Sequence, residues 1–266
     1  MGFVKTTEEL AGIERLLAEP RFLGGRQLKV EFLTDPEVLA RLLPPPLELG
    51  AQPLASITVG EWHSNGFGDF TGASLYLAAT HEGLTGGYAL AMWMQGEPAV
   101  MFGREVFGEP KKLATVRLHS DGRSHRATVE RGGALLLALE AETTHDVEPV
   151  EQLRIAFNYR ARTAVDGIGL DGPAQLTRAG FTESVRVRRE GQGTIELHGT
   201  VHDPLDDLPV RSVLGASYSE QDIAGHCEVV ASVEAAEFLP YHQGRSDDWL
   251  SLDTAPANQG GEPHVD

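Results

Sequence analysis

Two adjacent lysines, Lys111 and Lys112, close the segment Gly103-Arg104-Glu105-Val106-Phe107-Gly108-Glu109-Pro110-Lys111-Lys112. Apolar residues flank it on both sides, Ala99 to Phe102 before and Leu113 and Ala114 after, so partial burial is expected. A lysine pair taken alone is more often a solvated turn, but a lysine is seldom buried without a reason. A buried amine can act as a nucleophile and condense with a carbonyl. An ordinary lysine amine, with a pKa of about 10.4, is neutral in roughly one molecule in 2,500 at pH 7. An imine-forming lysine therefore needs surroundings that disfavour the ammonium, through desolvation or a neighbouring cation. Adjacent residues of an extended segment point to opposite faces, so Lys112 is expected to stand apart from the Lys111 amine, and desolvation ranks ahead of charge repulsion.

Other candidate motifs are weaker. Gly167-Ile168-Gly169-Leu170-Asp171-Gly172 matches a dinucleotide-binding string, but Pro173 follows where a helix should begin, so a Gly-rich turn is the better reading. His198 and His202 have the spacing of helical metal ligands but lie in a strand-like stretch with Gly199 between them, and no carboxylate completes a set. Neither Gly72-Ala73-Ser74 nor Gly215-Ala216-Ser217 continues into a serine-hydrolase elbow.

The elements that must position the lysines read as strands. The 266 residues carry 30 Gly and 15 Pro scattered along the chain, which suits many short strands joined by turns. Period two recurs at Leu28, Val30 and Phe32, at Leu75, Leu77 and Ala79, at Val185 and Val187, and at Ile195 and Leu197, and antiparallel pairing is expected. The continuous apolar runs Tyr88 to Met94 and Ala134 to Leu139 predict strands covered on both faces, as in a closed barrel or a layered sheet. Two helices are signalled. One spans 6–18, with a Thr6/Glu9 capping box and a Leu10, Ile13, Leu16, Leu17 stripe; the other is short and starts at Asp35 and Pro36. A single domain over 1–242 is expected, followed by a polar tail over 243–266 in which Trp249 and Leu250 are candidates to dock on a neighbouring subunit.

The formal charge of −17 repels phosphate backbones and anionic membrane surfaces, so neither is an expected partner. An anionic substrate is repelled as well, and its site must supply its own Arg or Lys. The one cysteine, Cys227, excludes an intramolecular disulfide and a Cys-based zinc cluster. With no apolar leader or long apolar run, the reading is a cytoplasmic protein.

Several separated motifs resemble the acetoacetate decarboxylase family. They are Glu97-Pro98-Ala99, Gly103-Arg104-Glu105, Pro110-Lys111-Lys112-Leu113, the stretch from Asp35 to Glu48, Asn158-Tyr159 and His202 to Val210, and together they span about residues 25 to 240. The resemblance implies an α+β, mainly antiparallel fold with a closed cone-like β-barrel and short flanking helices, assembled as dimers or larger homo-oligomers. It implies an imine on the first lysine of the pair, here Lys111, acting on a small keto acid with no metal or organic cofactor; lysine activation in acetoacetate decarboxylase is itself a standard example.

Lys112 is carried over as the second catalytic lysine. Arg104 is expected to pair with Glu105 or hold a substrate carboxylate, and Arg26 lies near a substrate-facing arginine of the family. Matching His63 and Gly66-Phe67-Gly68 places Thr58 and Gly72 where the family has two glutamates; Glu61 and Asp69 are off register, and Glu237 is the candidate replacement acid or base. Decarboxylation of an acetoacetate-like acid is the first reading. The alternatives are an aldolase-dehydratase joining a keto acid such as pyruvate to an aldehyde, and a ligand-binding barrel without chemistry. A neutral amine in a closed pocket would speak for either enzyme, and an exposed or salt-bridged Lys111 for the binding protein.

Overall fold

The computed structural model describes residues 2–253. Thr6 and Glu9 form the expected reciprocal cap on helix α1 (Thr7–Ala18), although its apolar stripe remains largely accessible, with Leu10, Ile13 and Leu17 all exposed. Asp35 caps α2 (Pro36–Leu42), with Pro36 in its first turn. The remaining helices among the described residues are α3 (Glu97–Phe102), continued by a π-helical turn over Gly103–Phe107, a 3-10 turn over Leu205–Asp207, α4 (Ala235–Gly244) and α5 (Trp249–Asp253).

The strands are β1 (Arg21–Leu33), β2 (Glu48–Leu49), β3 (Leu54–Ser64), β4 (Gly68–His81), β5 (Leu84–Gln95), β6 (Lys111–Leu113), β7 (Thr115–Asp121), β8 (Ser124–Arg131), β9 (Ala134–Val147), β10 (Glu151–Arg160), β11 (Ala174–Leu197) and β12 (Ser212–Val233). Seven of them close on themselves in the order β10, β5, β4, β3, β1, β12, β11, with β11 pairing back to β10. The expected closed, mainly antiparallel barrel is thus borne out, except that β10 and β6 each pair with β5 in parallel. The far half of β11 leaves the barrel and pairs with β9, which continues through β8 to β7 as a second layer.

The main core lies between that second layer and the outside of the barrel wall. Leu28, Val30, Phe32, Ile57 and Leu75 from the wall form one buried cluster with Val129, Leu137 and Leu139 from the layer. Period two therefore operates in an inverted sense. The apolar faces of β1, β3 and β4 point out of the barrel under cover, and their polar partners Gln27, Lys29, Ser56, Thr58 and Ser74 point into its interior.

Helical structure continues past residue 243, where a polar tail is expected. Arg245 donates to the carbonyls of Tyr159 and Gly108, and Asp247 joins a buried ion cluster. Trp249 and Leu250 are exposed, and residues 254–266 lie outside the described residues. The 167–172 segment is a turn, with Gly167 and Gly169 at positive φ.

Candidate active site

The lysine segment enters the barrel past two glycines, Gly108 and Gly103. Gly108 ends the π-helical turn at φ 76°, ψ 25°, and a side chain there would meet the backbone of Tyr159 and Arg160 at 2.7 Å. Gly103 adopts ordinary helical angles, but its missing Cβ leaves the space in which the Lys111 and Glu109 side chains lie.

From there the chain runs extended, and alternation sorts the residues. Glu109 and Lys111 face the barrel interior; Lys112 faces the other way. Lys111 Nζ stands 2.7 Å from Glu109 Oε2, and both side chains are almost wholly buried. Lys112 Nζ donates to the His202 carbonyl at 2.6 Å and pairs with Asp203 and Asp247, which Arg131 also binds. Trp93 Nε1 completes the cluster on Asp203.

The interior cavity measures about 680 Å³. A cross-strand row runs along its wall through Lys29, Thr58, Ser74, Met92 and Lys111, each the direct partner of the next. Trp62, Phe70, Phe22 and Phe107 line an aromatic part of the wall. Deeper interactions involve residues that the sequence did not single out. Arg154 donates through Nε to Glu183 Oε1 at 2.6 Å and lies 4.4 Å over the Phe181 ring, while Gln152 takes the other Glu183 oxygen at 2.7 Å. Burial pushes the Tyr76 hydroxyl up, partly countered by the charge of Arg154, so Tyr76 stands in the cavity as a neutral phenol.

Of the residues expected at the site, Lys111 alone lines this cavity. Lys112 is turned away into the ion cluster, so it supplies no cation beside the Lys111 amine; the charge that does lie there is the Glu109 carboxylate. Arg104 neither pairs with Glu105 nor reaches the cavity: it donates to the Lys111 carbonyl at 3.2 Å and braces the strand, and Glu105 is exposed. Arg26 lies on the outer side of β1, paired with Glu61. Glu237 is exposed on α4, and Asp69 pairs with His63. None of these acids lines the cavity.

The seven-stranded barrel agrees with the comparisons. The acetoacetate decarboxylase (ADC) family pattern matches residues 9–233. The chain belongs to the acetoacetate decarboxylase family. It is 32% identical over 219 residues to the acetoacetate decarboxylase of Bordetella avium (strain 197N) and 28% over 217 residues to that of Burkholderia cenocepacia (strain HI2424), in each case covering 79% of this chain and 87% of the relative. Among solved structures, the acetoacetate decarboxylase of Legionella pneumophila superposes with a TM-score of 0.72 at 24% identity, covering 80% of this chain and 87% of the other. The enduracididine biosynthesis enzyme MppR complexed with pyruvate superposes at 0.68 and 15% identity, covering 80% and 90%, a likeness of fold.

Within the acetoacetate decarboxylase fold, the two positions that lack the expected glutamates are now placed. Thr58 lines the cavity in the row of Lys111. A Cβ on Gly72 would meet Met94 Sδ at 2.5 Å, so Met94 fills the room that a longer side chain at 72 would need.

Proposed function

We propose that this protein is a lyase that forms an imine between Lys111 and the carbonyl of a small keto acid. The observation that carries this reading is the buried pair of Lys111 and Glu109 at 2.7 Å, facing a closed-barrel cavity.

A salt-bridged Lys111 was the feature expected of a mere binding barrel. Here, however, the partner is itself buried beside the cavity, and a buried pair can exchange charge for neutrality. Transfer of one proton from the ammonium to Glu109 leaves a neutral amine and a neutral carboxylic acid, which avoids keeping two charges out of water. The amine nitrogen then attacks the carbonyl carbon, and the carbonyl π pair moves to oxygen. Glu109 relays a proton from nitrogen to that oxygen, and protonated hydroxyl leaves as water. The sum is ammonium plus ketone giving protonated imine plus water. Glu109 thus takes the acid-base part that the glutamates absent at 58 and 72 would otherwise share.

The protonated imine accepts the electron pair released when a β-carboxylate leaves, and the family's named relatives support decarboxylation as the first reading. Condensation with an aldehyde is the second, favoured by the cavity: 680 Å³ is the size of sites that enclose drug-sized ligands and far exceeds a small keto acid. The reading includes a homo-oligomer, for which light scattering should give at least a dimer.

Borohydride reduction with pyruvate or acetoacetate should add mass to Lys111. Labelling that persists in Lys111→Ala and vanishes in Lys112→Ala would transfer the role to the other lysine, and no labelling of the native protein would leave the binding barrel.

A further inference from the structure

The cavity is lined by four basic side chains, Lys29, Lys111, Arg154 and Arg188, and by four acidic ones, Glu31, Glu109, Glu183 and Glu190. They are matched one to one. Lys29 meets Glu31 at 2.6 Å, Lys111 meets Glu109 at 2.7 Å, and Arg188 commits both Nε and Nη2 to Glu190. An incoming carboxylate thus finds no net positive charge, and the −17 of the whole chain repels it. It needs a cation with donors to spare.

Arg154 is such a group. A guanidinium has five N–H donors, and Glu183 engages Nε. The Tyr76 ring lies 5.7 Å from the same guanidinium, and the forked Nη edge is left for a ligand. Glu183, 2% exposed and fixed from the other side by Gln152, holds the stem of the fork in place. The Phe181 ring backs it at 4.4 Å. Although Arg154 springs from the inner face of the barrel, its side chain is 37% accessible, and the open surface faces the cavity.

Its place relative to the amine follows from the strands. Ser74 stands beside Met92, the neighbour of Lys111, and Tyr76 is the next inward residue on β4. Tyr76 therefore lies one inward step from the row that ends at Lys111, and the Arg154 guanidinium lies 5.7 Å from its ring.

We infer that Arg154, held by Glu183 and backed by Phe181, is the specificity-determining residue that binds the carboxylate of the keto acid while its carbonyl lies at Lys111. The inference rests on the Lys111 reading for the carbonyl end only. It makes the substrate an anion recognised through a planar two-oxygen group, a geometry that a guanidinium matches and an ammonium does not.

The test compares pyruvate with methyl pyruvate, the same ketone with its carboxylate masked. In borohydride trapping, Arg154→Met should lower the pyruvate to methyl pyruvate labelling ratio at least ten-fold, as expected for losing charge-assisted hydrogen bonds. Arg154→Lys should recover less than half of the ratio on a logarithmic scale. An unchanged ratio, or full recovery by lysine, would overturn the inference, and because a ratio is read, a general loss of folded protein cancels. Pyruvate binding followed by ligand-observed NMR in Lys111→Met/Glu109→Gln, with and without Arg154→Met, separates the two claims. Binding that depends on Arg154 there upholds the anchor even if Lys111 never forms an imine, and binding indifferent to Arg154 refutes the anchor even if Lys111 does.

Discussion

Replacing Gly103 with alanine should disable the amine while sparing the fold. The backbone at 103 has φ −64° and ψ −42°, angles that suit alanine, and relief of glycine's entropy in a helical turn is worth about 1 kcal/mol. The added Cβ would stand 2.7 Å from Lys111 Cε, and nearer still to Lys111 Cδ and Glu109 Oε2. Carbon atoms settle at about 3.5 to 4.0 Å, so the pair must retreat by about 1 Å. The atoms that move are the far parts of flexible side chains, which puts the overpacking cost at about 1 to 3 kcal/mol, partly offset by the helical gain. A net loss of up to about 2 kcal/mol lowers Tm by no more than about 8 °C in a chain of this size. A displacement of about 1 Å at a reacting atom costs about a hundred-fold in rate. The assay is the rate of borohydride-trapped mass gain at subsaturating pyruvate, with Tm measured on the same sample. Trapping at the native rate in a protein that keeps its fold would refute the claim that the seat beneath the pair governs the nucleophile.

Removing the hub of the outer ion cluster should cost stability rather than chemistry: Asp203→Ala leaves Lys112 and Arg131 only Asp247 as a carboxylate partner and the Trp93 indole without its acceptor, with an expected loss of up to about 3 to 5 kcal/mol in urea unfolding, and a loss under about 1 kcal/mol would mean the cluster is effectively solvated. His125 is buried between Ser120 and Thr143, and burial, helped by Arg189, pushes its pKa below the ordinary value. Below about pH 6.5 the unfolded chain therefore holds a proton that the folded one refuses, so stability falls as pH drops through that window, and His125→Phe should flatten the dependence of the urea midpoint on pH. Gly72→Glu alone should fold poorly or leave its carboxylate displaced, because Met94 occupies the space; paired with Met94→Ala, and with Thr58→Glu, it should raise acetone release from acetoacetate, and no gain would show that Glu109 already supplies the acid-base function.

Much of the fold was legible because its signals are local. The Thr6/Glu9 cap, the Asp35-Pro36 start and the alternation on β1 and β4 each depend on a few neighbouring residues, and all are found. Alternation reports parity, though, and not which side encloses space; that side was set by β7 to β9 covering the apolar face from a distance in sequence. The same parity rule separates Lys111 from Lys112, and it also puts Glu109, two residues earlier, on the lysine's side, a signal present in the sequence. Arg154 and Glu183 had no such local mark. They meet because β10 and β11 pair with Gln152 opposite Glu183 and Arg154 opposite Phe181, a register that neither strand announces alone. Arg26, Arg104 and Glu237 were placed by resemblance, and none of them lines the cavity.

The back-to-back arrangement of Lys111 and Lys112 also makes this short strand intolerant of changes in length. Each amine has a destination built for it, one beside Glu109 and one among Asp203, Asp247 and the His202 carbonyl. Insertion or deletion of a single residue between Gly103 and Pro110 would reverse the two, delivering Lys112 to the interior and Lys111 to the anions. Composition would be almost unchanged, and a lysine would still face the cavity, but Glu109 would no longer be two residues behind it on the same side. The ion cluster around Lys112 therefore acts as a latch on reading frame: it anchors the neighbour so that the reactive residue has one direction left to point.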